Sequence, residues 1–186
     1  MFGVFKAHCS SDKFNEKAFW RHSIAGAIIA SKYAQFDRSL TDPDIVYVAA
    51  LIRNIGVLAI RQYIPGEFDY ILNLMECDTL SFSDASKIIL GASHRQIAYM
   101  IGLRWNLPRS IIESIDDKNN PYEQTRESSE IKKAILFADD LLQVTRFSLW
   151  DPFYMPGNVV FDGIPCEDIF NEASSMVEKM YEEFWR

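Results

Sequence analysis

Apolar positions along this chain recur at helical rather than strand spacing. In "KAFWRHSIAGAIIASKYAQF", Phe19, His22, Gly26, Ile29 and Tyr33 form one stripe, and Trp20, Ile24, Ala27 and Ile28 widen it. An arc that wide predicts a helix buried on most sides. "TDPDIVYVAALIRNIGVLAIRQY" opens on a start signal. Thr41 or Asp42 can cap, Pro43 suits the first turn, and Asp44 favours the positive end of the helix dipole. Ile45, Val48, Ala49, Ile52 and Ile55 then fall at helical spacing, and Pro65-Gly66 marks a break. "EFDYILNLME" predicts a shorter helix.

"SFSDASKIILGASHRQIAYMIGLRWNLP" reads as one long helix, capped by Ser81 with Asp84 or by Ser83. It would carry Leu90, His94, Ile97, Ile101 and Trp105 on one face and stop before Pro108. "PRSIIESIDD" is a further short helix, and "NNPYEQTRESSE" a polar loop. "SEIKKAILFADDLLQVTRF" places Ile131, Ile135, Ala138 and Leu142 on one stripe. "WDPFYMPGNVVFDGIP" is irregular, with short extended pieces expected around Val159 to Phe161. "CEDIFNEASSMVEKMYEEFW" closes the chain, with Ile169, Ala173, Met176, Val177 and Met180 as its expected buried side. No repeat or low-complexity segment interrupts the pattern. The expected fold is all-α, a compact bundle of about seven helices.

Composition narrows the function. A chain of 186 residues suits a single domain spanning 1–186, with a loose lead-in over 1–17 and a C-terminal helical extension over 146–186. An apolar share of 48% is enough for a sizeable core, which argues against disorder across the chain. The formal net charge of -7 argues against nucleic acid as a partner, because phosphate-backbone binding needs a concentrated basic surface. Cys9, Cys77 and Cys166 are widely spaced and suit reduced thiols in a cytoplasmic protein. "MFGVFKAHCSSDKF" has no signal-peptide pattern, and charge breaks the apolar runs, so no membrane span is expected.

Few residues could carry chemistry. The histidines are His8, in the lead-in, and His22 and His94, each placed mid-helix on an apolar face. Such a histidine is commonly a core residue with its hydrogen bonds met; the sharper alternative is a metal ligand. Asp139, one position past Ala138, could point inward and would then need a partner; a helix-surface acid is the plainer alternative. Arg21, Arg53, Arg61, Arg95 and Arg104 suit surface positions or ion pairs, and could hold anions. There is no Gly-rich phosphate loop, GxSxG or HExxH.

The order "FWRHS", "AALIRNIGVLAI", "GASHRQIAYMIGLRWNLPRSIIESI", "LFADDL" resembles the HDOD domain, a bacterial signalling relative of the HD metal-dependent phosphohydrolases. The resemblance runs from about residue 18 to 145 and is most specific in "SHRQIAYMIGLRWNLP". It implies an HD-domain-like helical fold. By this resemblance His22 matches the first histidine of the HD pattern, His94 the histidine of the long helix, and Asp139 the late aspartate. Arg53 and Asn54 fall where HD enzymes have their His-Asp dyad. Lys118 and Asn119 fall where many relatives have a His-His pair. HDOD proteins usually carry a helical segment before this region. The chain therefore looks like the second half of such a domain, cut from a longer protein or working as a trimmed module.

The replacements bear on activity. A hydrolytic metal needs several convergent His and carboxylate ligands and an open water position. Arginine is cationic and offers no lone pair. The expectation is therefore a non-catalytic signal-transduction module with no cofactor and a vestigial ligand-binding site at His22, Arg53, Asn54, His94 and Asp139. Arg53 is expected to fill the vacated space by pairing with Asp139 or a neighbouring acid. If a divalent metal binds at all, His22, His94 and Asp139 would hold it. The expected partners are a signalling protein and, as variants, a small phosphorylated ligand or a second copy of the chain (a homodimer); no membrane partner is expected. The alternative function is a residual metal-dependent phosphohydrolase acting on a nucleotide or phosphodiester.

Overall fold

The computed structural model describes residues 14–37, 41–78, 80–116, 125–143 and 164–184. Nine helices run through them: α1 (Glu16–Phe36), α2 (Pro43–Ile52), α3 (Ile55–Tyr63), α4 (Pro65–Asp78), α5 (Phe82–Leu90), α6 (His94–Arg104), α7 (Arg109–Ile115), α8 (Arg126–Gln143) and α9 (Cys166–Phe184). All described regular structure is helical, as the apolar spacing predicts. The stretch read as extended around Val159 to Phe161, and Lys118 and Asn119, lie outside the described residues.

Local signals set most helix starts. The Asn15 side chain caps α1 by accepting from the Ala18 amide, and the Asp42 carboxylate caps α2 by accepting from Asp44. Pro43 occupies the first turn of α2, where its missing N–H costs nothing. Ser81 caps α5 through the Asp84 amide.

Nine helices rather than about seven result from two breaks that apolar spacing does not show. The first falls at Arg53-Asn54, between α2 and α3. The second splits the expected long helix at Gly91-Ala92-Ser93. Gly91 adopts φ 73°, a left-handed conformation that closes α5, and Ser93 opens α6 with a reciprocal capping box to Gln96. His94 is therefore the first residue of a helix and not a mid-helix residue.

Buried side chains form two clusters. One joins α1, α2, α7, α8 and α9 around Ile28, Ile29, Val46, Ile111, Ile131, Leu142 and Val177. Tyr33 and Phe137 stack within it at 4.3 Å between centroids, pinning α1 to α8. The other joins the start of α1 to α3, α4 and α5 around Phe14, Phe19, Leu58, Phe68 and Phe82. Phe14, inside the segment read as a loose lead-in, packs edge-on against Phe68. The last helix docks on α1 through Ile169, Ala173 and Val177, with Lys32–Glu172 (2.5 Å) and Arg21–Glu178 ion pairs beside them. Met176, expected on the buried side, is exposed.

Pro43–Tyr63 is the one described stretch long and apolar enough to cross a membrane by composition. Half of its apolar window is buried inside the protein, and the turn at Arg53-Asn54 divides it. Val46, Ala49, Ala50, Val57, Leu58 and Ile60 are core residues of the two clusters.

Candidate functional site

The chain passes from one core cluster to the other at Arg53-Asn54, and α1 makes the same passage between Trp20 and Ala25. Polar residues gather at this seam. Arg53, at the C-terminus of α2, is 1% exposed, the largest of the fully buried side chains among the described residues. A buried guanidinium is costly unless its charge is compensated; here two of its nitrogens are bonded, while Nε has no partner among the described residues. Its Nη1 donates to the Ala50 carbonyl at 2.7 Å, and its Nη2 donates to Oδ1 of Asp139 on α8. The pairing expected from the sequence is formed, between residues 86 positions apart.

Room for the guanidinium comes from α1. A Cβ added at Gly26 would lie 2.7 Å from Arg53 Nη1, 2.8 Å from Nη2 and 3.1 Å from Leu142 Cδ1. Gly26 is one helical turn beyond His22 on the same face. The stripe that sequence spacing reads as apolar core thus contains a place kept empty for a cation.

Asp139 carries a second cation on its other oxygen. Arg95 of α6 donates from Nη2 to Asp139 Oδ2 at 3.0 Å. Burial alone would push the Asp139 carboxyl up. The charges of Arg53, Arg95 and His22 outweigh that and hold it below its ordinary value of 3.8. Burial also pushes Arg53 down, with Asp139 opposing, and guanidinium remains cationic at neutral pH. Asp140 next to it is raised, by burial and then by the charge on Asp139.

The lowered Asp139 value fixes the sign of a pH dependence. The unfolded chain takes up the proton more readily, so this carboxylate stabilises the fold above pH 3.8 and loses that contribution as pH falls toward its folded value. Asp140, raised, works in the opposite direction. The urea midpoint of the wild type is therefore expected to fall more steeply between about pH 5 and pH 3 than that of Asp139→Asn. Equal slopes would show that the carboxylate is not held ionised by its neighbours.

The remaining candidates are placed differently. His94 is buried, its ring edge-on to Phe82 at 5.3 Å. Its carbonyl faces α3, where a Cβ added at Gly56 would overlap the oxygen, lie 2.8 Å from the carbonyl carbon and 3.2 Å from the Ala98 nitrogen. Asn54 is buried at the start of α3 and makes no side-chain cap bond there. His22 is half-buried and within electrostatic reach of Asp139. His8 lies outside the described residues. Arg21, read above as a surface or anion-holding arginine, is bound to Glu178, and Arg61 to Glu16 at 3.1 Å.

A divalent metal does not fit this donor set. Both carboxylate oxygens of Asp139 are taken by guanidinium groups. Among the described residues no three His, Cys, Asp or Glu side chains come together so as to hold a metal ion, His22, His94 and Asp139 included. Sequence reasoning named Arg95 among five arginines suited to surface positions or ion pairs without joining it to Asp139, its partner here, and gave Gly26 and Gly56 no role. Arg95 directly follows His94, and that adjacency was the one available signal.

The HDOD domain family model matches residues 1–121, a span that includes the lead-in and stops short of Asp139. The fold resembles an HDOD domain protein from Geobacter sulfurreducens, with TM-score 0.69 and 20% identity over 92% of this chain and 60% of that one. It also resembles a protein from Marinobacter aquaeolei VT8 proposed to act in signal transduction, with TM-score 0.64, 19% identity, and 92% and 36% covered. A proposed phosphohydrolase from Shewanella amazonensis SB2B gives TM-score 0.59, 16% identity, and 89% and 61% covered. The chain thus spans between 36% and 61% of the length of these structures. No curated protein matches it.

Proposed function

The chain belongs to the HDOD domain family, and from that premise we propose that it is a non-catalytic regulatory module of bacterial signal transduction, acting in the cytoplasm by binding a protein partner or a small ligand. The observation that carries this reading is the pairing of the buried Arg53 guanidinium with Asp139. An intramolecular cation bound to the one central carboxylate supplies the charge compensation that a metal would otherwise give, but offers no open position for water and no Lewis acidity. The supporting chemistry is the absence of a convergent ligand set among the described residues. Relatives of the same fold include one protein proposed for signal transduction and one proposed as a phosphohydrolase, so fold alone does not choose between them.

Metal content separates the two. Purified protein is expected to contain no stoichiometric Mn, Fe or Zn by elemental analysis. Its thermal transition is expected not to move when Mn²⁺, Fe²⁺, Zn²⁺ or Mg²⁺ is added, since an ion binding the native state must raise apparent stability by mass action. Stoichiometric metal that disappears in His94→Ala, together with hydrolysis of a nucleotide or phosphodiester, would overturn the proposal.

A further inference from the structure

We infer that the outward side of Arg95 is a binding position for a phosphate group. The inference rests on the non-catalytic reading above, because it requires Asp139 to stay with its arginines.

Charge is the first argument. Asp139 is met by two guanidiniums, Arg53 and Arg95, so the cluster keeps a net positive charge, to which His22 adds when protonated. Asp140, next in sequence, forms no ion pair with Arg53 or Arg95 among the described residues. Arg53 is fully buried and its charge is spent on Asp139 and the Ala50 carbonyl. The excess therefore sits on Arg95.

Open donors are the second. Arg95 makes one hydrogen bond to the described residues, from Nη2 to Asp139 Oδ2 at 3.0 Å, leaving most of the guanidinium N–H groups unspent. Its side chain is 27% exposed, so it is anchored on one side and open to solvent on the other. Anchoring matters because an arginine already held in place loses little further freedom on binding. A planar fork with spare donors and a local positive excess suits a tetrahedral oxyanion bound through two oxygens. The phosphate could be inorganic phosphate or the terminal group of a phosphate ester, and the chemistry is the same at this position.

The test is isothermal titration of the full chain with inorganic phosphate, with adenosine monophosphate and with chloride at matched ionic strength, for the wild type, Arg95→Gln and Arg95→Lys. The wild type is expected to bind at least one phosphate probe and to show no heat with chloride. Arg95→Gln should weaken that binding by roughly tenfold or more, the loss of a charge-assisted bond pair. Arg95→Lys, which keeps the charge and the tie to Asp139 but loses the fork, should fall between. Tighter binding of the monophosphate assigns the site to an ester, and equal binding assigns it to phosphate alone; both support the inference. Equal binding by wild type and Arg95→Lys, or no phosphate binding by the wild type, overturns it. Metal content of the same sample keeps the two ideas apart. Metal-free protein that ignores phosphate sinks only the anion site, whereas stoichiometric metal lost in His94→Ala, with phosphodiester or nucleotide hydrolysis, sinks the non-catalytic reading itself.

Discussion

Asp139→Ala is expected to destabilise the protein by about 3–5 kcal/mol, the cost of leaving a buried charge without its partner. The expectation rests on Arg53 more than on Asp139. Arg53 is 1% exposed, and its guanidinium is held between Gly26, the Ala50 carbonyl and Asp139 itself. It cannot swing to water without opening the contact between α1 and α8. Removing the carboxylate therefore exposes the desolvation penalty that the pair offsets. Removing both charges has a different outcome. Arg53→Met combined with Asp139→Leu should recover most of the loss, because apolar residues of similar volume replace buried ion pairs at little cost. Urea denaturation of the two single variants and the double at pH 7 gives the coupling directly. A single-variant loss below about 1 kcal/mol would mean that the guanidinium is solvated and that the seam is not a closed ion-pair site.

The second large effect is expected at Gly56. A side chain there would overlap the His94 carbonyl oxygen, which belongs to the backbone of α6 and cannot rotate away as a side-chain end could. Gly56→Ala must push α3 off α6 or bend one of them. A core overpacked in this way loses typically about 1–3 kcal/mol, occasionally more. For a domain of this size that corresponds to a melting temperature lower by roughly 2–12 °C. Gly66→Ala is the matched control. It too is a helical glycine, in α4, but nothing lies within 4 Å of an added Cβ. Helix propensity alone then favours alanine, and the melting temperature should hold or rise slightly. If Gly56→Ala melts with Gly66→Ala, the close approach of α3 to α6 is wrong. The arrangement also ties stability to the site, since α6 carries both His94 and Arg95.

The helices and their starts were legible because the signals that make them are local. A wide apolar arc marks α1, Asp42 with Pro43 marks the start of α2, and Ser81 with Asp84 marks the start of α5; each works through contacts within one turn. The HDOD motifs were legible as well, from residue types and their order. Boundaries inside long apolar patterns were harder. Apolar spacing continues across Gly91-Ser93, so the pattern suggests one helix, although the Ser93–Gln96 capping box was a local sign of a second start. Arg53-Asn54 gives no such sign.

The site itself belongs to tertiary structure. Asp139 could be named from its motif, but whether it meets a metal, water or a guanidinium depends on side chains brought together from four helices. Arg53 and Asp139 lie 86 positions apart, and Arg95 and Asp139 lie 44 apart. No periodicity carries information over that distance. The same holds for the glycines. Gly26 lay plainly on an apolar stripe in the sequence and Gly56 on none, but the reason each lacks a Cβ is a neighbour from another helix: the Arg53 guanidinium at Gly26, the His94 carbonyl at Gly56. Sequence alone determined which segments are helical, which faces are apolar and which family pattern they follow. Only the packed structure decided what fills the seam between the two cores, because a buried charge is compensated by whatever the fold places within hydrogen-bond distance, and chain order does not set that distance.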